Sequence, residues 1–93
     1  MGESPQANTR RVPRRNPTAA FRIFEGQATI VLPDGSYIKV LNEVGSRIWE
    51  LMDGTRDIPG LASVIAGEFE ITPQEAERDV REFVDDLGRN NML

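Results

Sequence analysis

Fifteen carboxylates, eleven basic residues and four serines are the side chains here that could do chemistry, with no histidine or cysteine among them. Without histidine, the commonest general base and the commonest metal ligand are both missing. Without cysteine, disulfides and thiolate metal sites are excluded. Ser4, Ser36, Ser46 and Ser63 therefore have no histidine-type base to activate them. The adjacent Asp85 and Asp86 suggest acid–base work, but neighbours on a helix diverge by about 100° and do not share a site. They read as a solvated helix face. Neither GxGxxG nor GxxxxGK[ST] occurs, and no acidic loop has the spacing of a calcium-binding hand. The expectation is a protein that is not an enzyme and uses no metal or cofactor.

Charge is unevenly placed along the 93 residues. Residues 1–20 hold Arg10, Arg11, Arg14 and Arg15 against Glu3, a balance of +3. The remainder holds seven basic and fourteen acidic residues, a balance of −7. A body this acidic repels phosphate backbones, which argues against nucleic acid as a partner. No apolar run is long enough to span a membrane, and the first twenty residues lack the apolar core of a secretory signal. A cytoplasmic location is expected.

The elements that must position any site follow from pattern. Residues 1–20 carry three prolines, four arginines and little apolar content, which predicts a disordered basic arm. Its RRVPRR cluster reads as a solubilising tail or as a contact for an acidic partner surface. From Phe21 the pattern becomes strands: FRIF (21–24), ATIVL (28–32) and YIKVL (37–41). Glu25-Gly26 and Pro33-Asp34-Gly35 supply the tight turns of an antiparallel meander.

Three helices follow. Asn42 is a candidate N-cap for 43–53, with Gly54 at its stop and Val44, Ile48, Leu51 and Met52 on one face. Trp49 falls outside that stripe; it either closes the core against the strands or faces a partner, and its bulk favours the core. Asp57 caps about 58–69, whose apolar stripe is Ile58, Leu61, Ala62, Ile65 and Phe69. Thr72-Pro73-Gln74-Glu75 is a capping box with proline at the first helical position, opening a helix to about Asn90. On it Ala76, Val80, Phe83, Val84 and Leu87 form an apolar arc bordered by Glu75, Asp79, Glu82 and Asp86. The expected fold class is α+β: a winged-helix-like, three-stranded antiparallel meander followed by three α-helices, all within residues 21–93.

Such a shape admits three kinds of function. A winged-helix DNA-binding regulator needs a basic reading helix. Here the last helix carries six carboxylates against Arg78, Arg81 and Arg89, and 58–69 has no basic residue. An open sheet edge can instead accept a peptide as an extra strand. The acidic border would then favour basic peptides, while Arg78 and Arg81 could receive acidic ones. The same edge could self-pair in a structural or oligomerising domain, as a monomer or weak dimer.

Several residues together carry a resemblance: Leu41-Asn42-Glu43-Val44-Gly45, Ile48-Trp49-Glu50-Leu51 and Asp53-Gly54. Glu68-Phe69 and Asp79-Val80 leading into Phe83-Val84-Asp85-Asp86-Leu87 continue it. In this order and spacing, over about residues 21–93, the chain resembles the PqqD-like family, named for coenzyme PQQ synthesis protein D. The resemblance implies a recognition module for ribosomally made, post-translationally modified peptides. Such a module binds the leader segment of a precursor peptide and presents it to a modifying enzyme, such as a radical-SAM protein or a leader protease. It also implies that the leader adds as a strand to the third strand, against the third helix. By position, that points to Tyr37, Ile38, Lys39 and Val40 on the strand and to Arg78, Asp79, Glu82, Phe83 and Asp86 on the helix.

Overall fold

A computed structural model of the protein describes residues 12–33, 35 and 38–93. The order is β1 (Ala20–Phe24), β2 (Gln27–Val31), β3 (Ile38–Val40), α1 (Glu43–Leu51), α2 (Ile58–Phe69) and α3 (Pro73–Arg89). This is the expected α+β arrangement of three antiparallel strands followed by three helices. The strands stand in the order β1-β2-β3, so β1 and β3 are the edges.

Local chemistry places the element ends. Glu25 and Gly26 both have positive φ (52° and 80°), the backbone signature of a two-residue hairpin turn whose twist matches the strands it joins. Gly26 adopts that φ without the steric cost a β-carbon brings. Asn42 Oδ1 accepts from Gly45 N at 2.8 Å and Asp57 Oδ1 accepts from Gly60 N at 2.9 Å. The capping box is reciprocal: Glu75 N donates to Thr72 Oγ1, and Thr72 N donates to Glu75 Oε1. Helix α1 ends at Leu51, two residues earlier than its apolar pattern predicts, because Met52 leaves helical geometry as its cap. Strand β3 is Ile38–Val40, so Leu41 lies outside it; Asp34, Ser36 and Tyr37 lie outside the described residues.

One sheet face meets the helices. Ala28 and Ile30 of β2 are fully buried there, together with Ile48, Trp49, Leu61, Ile65, Val80, Val84 and Leu87. Trp49 therefore belongs to the core, its ring edge-on to Phe21 with centroids 5.6 Å apart. Its indole N–H meets no acceptor among the described residues, a cost that burial of the ring has to exceed. Helix α3 packs mainly on α2, while α1 reaches β2.

Residues 12–19 differ from the loose arm that composition predicts. Arg15 N donates to Met52 O, its guanidinium donates to Trp49 O (2.9 Å) and Glu50 O (2.8 Å), and it lies 5.5 Å from the Phe21 ring centre. Asn16 N donates to Met92 O, and Asn16 Nδ2 to Asn91 O. The physical reason is an unmet need. Helix α1 has no basic residue in its last turn, so its terminal carbonyls take an arginine from elsewhere in the chain. Residues 1–11 lie outside the described residues.

Candidate functional site

The free edge of β3 is built by register. Leu41 N donates to Ala28 O at 2.8 Å, and Thr29 pairs with Val40, Ile30 with Lys39 and Val31 with Ile38. In an antiparallel ladder, hydrogen-bonded and non-hydrogen-bonded pairs alternate. Lys39 therefore spends its backbone groups on β2. Ile38 and Val40 direct theirs away from β2, where no further strand pairs among the described residues. Each offers one N–H and one C=O toward a potential added strand.

Side chains alternate the other way. Lys39 shares the inner face with buried Ile30, and its Nζ meets Asp86 Oδ2 at 2.8 Å, spanning the gap from β3 to α3. Arg89 adds a second, longer contact to Asp86 at 3.5 Å. The Lys39 hydrogen bond is the main reason the Asp86 carboxyl titrates below the usual carboxylate range; partial desolvation opposes it, and the positive charges of Lys39 and Arg89 reinforce it. Ile38 and Val40 stand on the outer face, 62% and 65% exposed.

The Lys39–Asp86 contact identifies which flank of α3 faces the strand. At 100° per residue from core-facing Val80, Phe83 lies about 60° away, Asp79 about 100° and Asp86 about 120°, all to one side. Glu82 and Arg78 each stand about 160° away, on either side of the outward line. Of the residues named for this helix, the structure thus brings Asp79, Phe83 and Asp86 to the β3 side. Glu82 sits at the outer rim, and Arg78 lies just past the outward line toward the far flank, its guanidinium 4.0 Å from Asp79. Arg81 is engaged with Glu77 on that far flank as well.

The approach of strand and helix depends on α1. A β-carbon on Gly45 would sit 3.2 Å from the Phe83 ring, so a small residue there lets the start of α1 lie against α3. Ser46, the one buried polar residue among those described, accepts from Ala28 N at 2.7 Å and donates to Leu41 O at 3.4 Å. Its hydroxyl completes the β2 ladder where β3 turns into α1. Sequence reasoning missed this role, since a serine on a helix carries no sign that it will bridge two strands. It also missed the Arg15 cap: the lack of a basic residue at the end of α1 marks carbonyls in need of a donor but not which residue supplies it.

Among the described residues no cluster of three acidic, histidine or cysteine side chains could hold a metal ion, and no helix is long and apolar enough to cross a membrane. The family model described as coenzyme PQQ synthesis protein D (PqqD) matches residues 28–93, more than half of the chain. The chain belongs to the PqqD family. Among solved structures, "TbiB1 in Complex with the TbiA(beta) Leader Peptide" is similar, with a TM-score of 0.76 and 23% sequence identity. The alignment covers 86% of this chain and 93% of TbiB1, and at that identity it establishes a shared fold. No curated protein matches the sequence. In this PqqD-family chain the matched segment contains β3 and all three helices, whereas β1 and the Arg15–Asn16 clip precede it.

Proposed function

We propose that this PqqD-family chain binds the leader segment of a ribosomally synthesised precursor peptide as an added strand on β3 and presents it to a modifying enzyme. The observation that carries this reading is the edge itself. Ile38 and Val40 turn their backbone groups outward beside a helix flank that stays close to the strand. Backbone hydrogen bonds then supply affinity, and alternate side chains supply selectivity. Family membership and the likeness to a structure holding a leader peptide support it. The chain acts without chemistry of its own. The modifying enzyme is a radical-SAM protein, as in PQQ-type synthesis, or a leader protease, and the setting is cytoplasmic.

The test is a titration of isotope-labelled protein with the leader segment of a precursor encoded beside it. Amide shifts concentrated at Ile38–Val40 and along the Asp79–Asp86 flank support the reading. Shifts confined to α1 or α2 would overturn it. Duplex DNA should leave the spectrum unchanged at physiological salt, because the flank beside the edge is acidic.

A further inference from the structure

The outer face of the sheet, turned away from the helices, is apolar where it adjoins the open edge. Strand register aligns Ala20, Val31 and Ile38 in one row and Arg22, Thr29 and Val40 in the next. Phe24, on β1 in the row after these, is 72% exposed. No carboxylate belongs to either row, in contrast to the inner side of the same edge. There Lys39 and Asp86 close the gap to α3 with an ion pair, and Asp79 lies about two turns earlier on the helix.

Resting on the strand-addition reading, we infer that selection for apolar residues in the bound peptide is made on this outer face, by Ile38 and Val40. Residues opposite each other in a ladder point to the same face. The two peptide residues that take the backbone bonds of Ile38 and Val40 must therefore project outward, beside those side chains. The peptide residue between them projects inward, toward the Lys39–Asp86 pair, where an apolar group would desolvate charges without replacing their interactions. The matching ligand is an extended segment with apolar side chains at two alternate positions and a polar one between them.

The size of the patch favours a peptide strand over a second copy of the chain. Phe24, Ile38 and Val40 together expose roughly 400 Å², about half of the ~800 Å² per partner that a stable protein pair buries.

The test uses two short synthetic peptides, capped at both ends. One alternates valine with threonine; the other carries serine in place of each valine. Binding is read by amide shifts on the full chain and on the double variant Ile38→Thr, Val40→Thr, which keeps β-branched residues at exposed positions so that folding is preserved. The valine peptide should bind the parent about five- to tenfold more tightly, the effect of two cross-strand apolar pairs, and the preference should fall to near unity in the double variant. A preference that persists in the double variant overturns the inference and places apolar selection inside the groove. If neither peptide perturbs Ile38–Val40 while the genuine leader does, the outer-face inference alone falls. If the leader also leaves those amides unmoved, strand addition itself falls.

Discussion

Strand β3 and helix α1 are separated in the chain only by Leu41 and Asn42, yet they meet their surroundings in opposite ways. Helix α1 is closed on every side that matters. Asn42 satisfies its first turn, Arg15 its last carbonyls, Ser46 the strand ladder above it, and Trp49 fills the space beneath the sheet. Strand β3 has one edge in the ladder, one edge that pairs with no further strand among the described residues, and two of its three side chains in solvent. The difference teaches how a domain this small can keep an adhesive edge. Stability is concentrated in the element that follows the edge, so the edge itself contributes little to the core and remains available to a partner.

This contrast can be broken most severely at Trp49. Trp49→Ala should cost about 3–5 kcal/mol, enough to abolish cooperative folding in many domains of this size. Urea unfolding followed by far-UV circular dichroism measures it. A cost below about 1 kcal/mol would mean that stability is not concentrated in α1.

Next comes Ser46→Ala, which leaves the Ala28 N–H buried without its acceptor. A loss of about 1–3 kcal/mol is expected, along with faster hydrogen exchange at Ala28 than at Ile30. Arg15→Ala removes two hydrogen bonds to the carbonyls at the end of α1. It should cost about 1 kcal/mol, lowering the melting temperature by about 4–8 °C. That shift also tests whether residues 12–19 belong to the folded body; an unchanged melting temperature would return them to the status of an arm.

The smallest effect lies on the open side. Hydrogen bonding to Lys39 lowers the folded-state pKa of Asp86 below its unfolded value, so this contribution to stability is present at neutral pH. It is lost as pH falls below about 4 and through the still lower folded-state value. Because both side chains are partly exposed, solvent screening limits it to about 0.2–1 kcal/mol. Comparing parent and Lys39→Met unfolding at neutral and acid pH should show a gap that closes in acid. A gap independent of pH would mean that the Lys39 stem, not its charge, holds strand to helix.

How much was legible in the sequence divides along physical lines. Local rules determined what depends on a few adjacent residues. Asn42, Asp57 and Thr72 announce three helix starts, because each side chain can reach the backbone N–H three residues ahead. Glu25-Gly26 announces a hairpin, and the apolar arc of α3 announces the face that Val80, Val84 and Leu87 bury. The strands and their order came from the same short-range patterns, and the pairing of residues 41–54 with the later helices carried the family. What only the tertiary structure decided is every relation between distant segments. Lys39 reaches Asp86 because α3 folds back beside β3, and that contact alone tells which flank of the helix faces the edge. It separates Asp79, Phe83 and Asp86 from Arg78, which the family resemblance had grouped together. Arg15 leaves the expected arm for carbonyls 34 and 35 residues away, and no local pattern records a hydrogen bond made across that distance.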